Sequence, residues 1–223
     1  MGSEEKGGSG GAAPFDHPIL QESLAGIRSR LGSTGLGGIE QEVLERLVHS
    51  CGDPAVAAIL RFSPGACAAG LAALGEGAPI LTDTAMAAAA VAPMARRTFA
   101  NPVRCLLDWA PPRPPAGSTR SAAGMGEALR VAERSAWPPP VVLIGSAPTA
   151  LERLLELTAG GQVRPPALVI GMPVGFVGVR ESKRRLAASG LRQIRVEGTR
   201  GGAGMAAAAA NALLRRAWLD QAA

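Results

Sequence analysis

Pro140–Phe176 runs PVVLIGSAPTALERLLELTAGGQVRPPALVIGMPVGF. Two short apolar runs, Val141–Ile144 and Ala167–Ile170, are each followed by a glycine. Between them, in Thr149–Thr158, Leu151, Leu154, Leu155 and Thr158 share one helical face, with Glu152, Arg153 and Glu156 on the other. Runs that are apolar on both pleat faces suit strands covered on both sides, and a helical crossover between two of them makes a parallel βαβ unit. Such a unit leaves Gly145–Thr149 and Gly171–Phe176 on the carboxyl edge of the sheet, where open α/β sheets bind their ligands.

Working outward, the same pattern repeats. Ala78–Leu81, Val103–Leu107 and Gln193–Glu197 read as further strands. After them come an alanine-rich helix to Ala92, a helix capped by Ser118-Thr119 and running to about Ser135, and Gly202–Leu219. Arg180–Ser189 supplies the helix between the last two strands. Ahead of the first strand, Ile19–Leu31, Gly38–His49, Asp53–Phe62 and Gly65–Leu74 have helical spacing, punctuated by Gly32, Gly52 and Ser63-Pro64. The expected fold is α/β: a doubly wound, five-stranded parallel sheet with an N-terminal helical extension. Residues 1–14, rich in Gly and Ser, read as a flexible tail, and residues 15–223 as a single domain.

Composition excludes several functions. The chain has no Tyr and 3% aromatic residues, which argues against single-stranded nucleic-acid binding, since that relies on aromatic stacking platforms. Its net charge is +5, and Lys6 and Lys183 are the only lysines. That arginine bias fits a GC-rich genome, or an anionic ligand gripped by guanidinium forks. Arginines spread along the chain suit a small polyanion better than a duplex. Cys51, Cys67 and Cys105 lack metal-ligand spacing, and read as free thiols in a reducing, cytoplasmic setting. The longest apolar run, Ala85–Ala95, is too short to span a bilayer, so no membrane partner is expected.

Motifs for nucleotides and metals are missing. GSAPTA and GMPVGF are neither GxGxxG nor GxxxxGK[ST], and two histidines with scattered cysteines make no metal site. GTRGGAGM, ahead of the last helix, reads either as an anion cradle or as glycines that let that helix pack closely on the sheet. His49 stands out because it ends a helix, where the macrodipole favours a protonated imidazole. It reads as a proton donor or, alternatively, as a structural cap.

VHSCGDP, ILRFSPGACAAGLAALGEGAPILTD, FANPV, STRSAAGM, IGSAPTALERLLEL, ALVIGMPVGFVGVRESKRRL and RGGAGMAAAAANALL together resemble the precorrin-8X methylmutase family, also called cobalt-precorrin-8 methylmutase or precorrin isomerase. The resemblance runs from about His17 to Ala217. It implies an isomerase of cobalamin biosynthesis that shifts a methyl group from C-11 to C-12 of a corrin-type macrocycle. It further implies no cofactor, a tetrapyrrole substrate and a homodimer. The family histidine falls on His49, as proton donor to the ring-C region, and the family's Thr-Arg pair on Thr119 and Arg120, as carboxylate ligands. Ser23, Asp83, Met86 and the Gly145 loop fall on substrate-contacting segments. Met172, Val174 and Phe176 are expected to face the macrocycle. Where many relatives have a tyrosine ahead of the first helix, this chain has Phe15. The alternative is a corrinoid carrier with the same fold and no turnover.

Overall fold

The structure is a computed structural model and describes residues 15–135 and 137–222. The expected tail over residues 1–14 lies outside them. Among the described residues there are eight α-helices: α1 (Pro18–Leu31), α2 (Gly38–Cys51), α3 (Ala66–Gly75), α4 (Ala85–Arg97), α5 (Arg120–Arg134), α6 (Pro148–Ala159), α7 (Val179–Ala188) and α8 (Ala203–Gln221). The strands are β1 (Leu60–Phe62), β2 (Ile80–Thr82), β3 (Val103–Cys105), β4 (Val141–Ile144), β5 (Leu168–Gly171) and β6 (Gln193–Val196).

These strands form one sheet in the order β1-β6-β5-β4-β2-β3. β2 to β6 are parallel, as the alternation of strands and helices predicts. The strand count is corrected from five to six. Leu60–Phe62, expected within a helix, instead pairs antiparallel with β6, Leu60 opposite Val196 and Phe62 opposite Ile194. Only Pro54–Ala58 of that expected helix is helical, as a short 3-10 turn.

Pleat alternation explains why β4 and β5 are apolar throughout. Val141 and Leu143 join Leu168 and Ile170 in a core shared with α1, α2, α3, α4 and α8. Val142, Ile144 and Val169 face the opposite way, into a core shared with α5, α6 and α7. From α6, Leu151, Leu154 and Leu157 are fully buried there, each contributing about 1.5–3 kcal/mol relative to exposure. Helix α4 was expected to end at Ala92, before Pro93, but it continues to Arg97. Pro93 and Ala89 both face solvent, so water can satisfy the carbonyl that the proline leaves without a donor.

The winding positions the site. From β2 the chain moves to β3 on one side, then returns past β2 to β4 on the other and continues outward. The direction reverses between β2 and β4. Their carboxyl ends therefore flank the crevice where such sheets take ligands.

Candidate active site

Asp83 follows β2 directly and is fully buried at that reversal. Its Oδ2 accepts the amide hydrogens of Ser146 and Ala147, just past β4, at 2.6 and 2.8 Å. Burial pushes the Asp83 carboxyl up from its ordinary value, against the opposing effect of these amides. Asp83 therefore ties the two sides of the crevice together, and two of the loop amides are already engaged. Thr84 caps α4 through Ala87 N, leaving Met86 on the first turn, 66% exposed.

Gly145 has a packing role. A Cβ there would lie 2.6 Å from the backbone N of Ala203, so only glycine lets the first turn of α8 approach β4. In GTRGGAGM, Gly201 acts in the same way. Gly202 N donates to Met172 O at 2.9 Å, and a Cβ on Gly201 would lie 2.0 Å from that oxygen. Close packing accounts for Gly201, while Gly202 is required by its φ of 136° and has its N–H already engaged.

The end of α2 lies beside the start of α8. Gly52, at φ 69°, stops α2 and donates its N–H to Val48 O at 2.8 Å. A Cβ on Gly204 would sit 3.4 Å from Ser50 Oγ. Asp53 caps the following turn through Ala55 N, and its carboxylate is ion-paired with Arg200. Those two contacts, the Ala55 amide first, hold the Asp53 carboxyl below its ordinary value. His49 is thus brought to the carboxyl edge, exposed, with its Nδ1 hydrogen-bonded to Ser23 Oγ at 2.9 Å.

Other expected residues divide between surface and core. Thr119 caps α5 through Ala122 N, and its hydroxyl meets that of Thr149, on α6, at 2.7 Å. Arg120 is exposed at the first position of α5, with Nε donating to Pro111 O at 3.1 Å. Thr119, Thr149 and Pro111 border a cavity of about 740 Å³ between α5, α6 and the proline-rich loop, with Trp109 and Arg130 in its wall. Met172 corrects an expectation: it is fully buried, so its side chain packs in the core instead of facing a ligand. Asp83, equally buried, acts on the loops from beneath. Phe176 is 93% exposed and Val177 88%, on the loop after β5. Phe15 lies under Arg97, whose guanidinium carbon is 3.9 Å from the ring centroid.

Among the described residues, the exposed large apolar side chains are Ile19, Met86, Val174, Phe176 and Val177. Met86 follows β2, the last three follow β5, and Ile19 precedes Ser23 by one helical turn on the same face of α1. All five border the edge that holds His49. Sequence reasoning missed Lys183. It lies on the buried stripe of α7 with Val179, Ser182 and Leu186, and that i, i+3, i+4, i+7 spacing was a readable signal.

The fold is that of an open, mostly parallel α/β protein, and its candidate site is the carboxyl edge, where the His49–Ser23 imidazole–hydroxyl pair and several exposed apolar side chains lie. The chain belongs to the precorrin-8X methylmutase family, whose model matches residues 18–216. It is similar to the cobalt-precorrin-8 methylmutase of Synechocystis, with 38% identity over 93% of this chain and 99% of the relative. With the precorrin-8X methylmutase of Pseudomonas aeruginosa it shares 45% identity over 87% of this chain and 93% of the relative. The crystal structure of a precorrin-8X methylmutase from Thermus thermophilus superposes with a TM-score of 0.80 at 37% identity, covering 93% of this chain and all of that one.

Proposed function

We propose that the chain is an isomerase of cobalamin biosynthesis, moving a methyl group from C-11 to C-12 of precorrin-8X or cobalt-precorrin-8. Family membership supplies the reaction. The observation that carries its assignment to this site is the Ser23–His49 hydrogen bond, at an edge bordered by five exposed apolar side chains. A flat macrocycle fringed with carboxylates needs apolar contacts for its faces and cations for its rim, and Arg120 lies exposed at the same edge.

In the shift, the bond from the methyl to C-11 breaks and a bond to C-12 forms. Substrate and product are isomers, so a proton lent during the step is returned. When His49 is protonated, Nδ1–H donates to Ser23 Oγ, leaving Nε2–H for the ring-C region. A proton placed there draws electron density from the conjugated system and lowers the barrier. A carrier has no use for such a pair, which favours the isomerase.

A single domain over residues 15–223 carries this chemistry. The apolar rim supports a homodimer in which a second copy covers part of the edge. Free thiols at Cys51, Cys67 and Cys105 support a cytoplasmic location, and no helix among the described residues is long and apolar enough to cross a membrane. Incubation with precorrin-8X, followed by absorption spectroscopy, tests the reading. Conversion to the hydrogenobyrinate chromophore is expected, and a bound but unchanged chromophore would leave the carrier in its place.

A further inference from the structure

Lys183 is the single lysine among the described residues and is only 2% exposed. Its Nζ donates to Gly198 O at 3.0 Å and to Arg200 O at 2.5 Å. Among the described residues no carboxylate pairs with it, and desolvation brings its pKa down to about 8. Burying an ammonium group without a counter-charge is costly, and it persists only where the groups it holds repay that cost.

The two carbonyls flank Thr199, in the segment joining β6 to α8. Several elements of the edge meet in that segment. Gly175 N donates to Thr199 O at 3.1 Å, fixing the loop that carries Phe176. Gly202 N donates to Met172 O, anchoring the start of α8. The Arg200 side chain is ion-paired with Asp53, four residues beyond His49.

We infer that Lys183 is a positioning residue for His49: by gathering the carbonyls of Gly198 and Arg200, it aims the Arg200 guanidinium at Asp53 and so fixes the end of α2. Without that ammonium, the part-buried carbonyls of Gly198 and Arg200 lose a donor and the segment between β6 and α8 is held less firmly. Both Asp53 and the loop bearing Phe176 then lose an anchor. The catalytic consequence rests on the isomerase reading; the structural one does not.

Lys183→Met removes the donors, and Lys183→Gln restores N–H groups without charge. In Lys183→Met, amide exchange at Gly175, Gly202 and Ala55 should accelerate while the strand amides of β4 stay protected. The NMR signals of the His49 imidazole should shift. The single-turnover methyl shift should slow roughly 10- to 100-fold, with tetrapyrrole binding retained, and Lys183→Gln should recover part of each effect. If Lys183→Met does not fold, the same shifts in Lys183→Gln relative to wild type decide the matter. Unchanged His49 signals and unchanged exchange overturn the inference. Wild-type protein that binds the tetrapyrrole but never isomerises it overturns the isomerase reading instead, and the imidazole and exchange measurements still judge Lys183.

Discussion

Ser23 and His49 are 26 residues apart in the chain and 2.9 Å apart at Oγ and Nδ1, each from a different helix. The bond fixes which ring nitrogen is engaged by protein and which is left for a ligand. Ser23→Ala should fold and bind the tetrapyrrole as wild type does. Its single-turnover rate should fall a few- to tenfold, the effect of losing about 0.5–1.5 kcal/mol of hydrogen bonding. Weaker binding with an unchanged rate of the bound complex would make Ser23 a substrate ligand rather than a partner of His49.

Arg120 stands at the first position of α5, where the helix dipole disfavours a cation. A residue of the wrong sign for its helix is best explained by an anion it serves. Arg120→Ala should weaken tetrapyrrole binding by about 1.5–3 kcal/mol, the scale of a charged hydrogen bond, with no loss of thermal stability. An unchanged dissociation constant in a spectral titration would remove it from the site.

Asp83 makes a prediction about pH. Burial raises its folded-state pKa above the unfolded value of 3.8, so the folded protein holds this proton more tightly than the unfolded chain. The associated stability is fully present below pH 3.8 and is lost as pH rises through the folded pKa. Asp83→Asn keeps an oxygen acceptor for the Ser146 and Ala147 amides and cannot ionise. Unfolding free energies measured against pH should therefore move in favour of Asp83→Asn as pH rises through that window. Wild type gaining on the variant over the same range would show that the carboxylate is stabilised, not strained, by its surroundings.

How far the sequence discloses this structure depends on where each element's information lies. β4 and β5 are legible because both faces of each are covered, so their apolar runs are local and unbroken. β1 is not legible: three residues continue a helical spacing, and their strand state comes from pairing with Ile194–Val196, far along the chain. Family resemblance named both Ser23 and His49, but spacing alone did not show that they touch. Met172 looked like a ligand contact because it follows a strand, yet its side chain turns into the core. In α7, an arginine-rich surface pattern hid a lysine that lies on the buried stripe.

Of the chain's two imidazoles, His17 is engaged in capping the start of α1 through Ile19 N, and His49 is the one paired with Ser23. A general acid contributes roughly 10²–10⁴-fold, or about 3–5 kcal/mol of barrier. The most direct measurement is the single-turnover conversion of bound precorrin-8X by His49→Ala, followed by absorption, with folding and binding checked on the same sample. The account predicts a folded variant that binds the macrocycle and loses most of its methyl shift. An undiminished rate in that variant would contradict it.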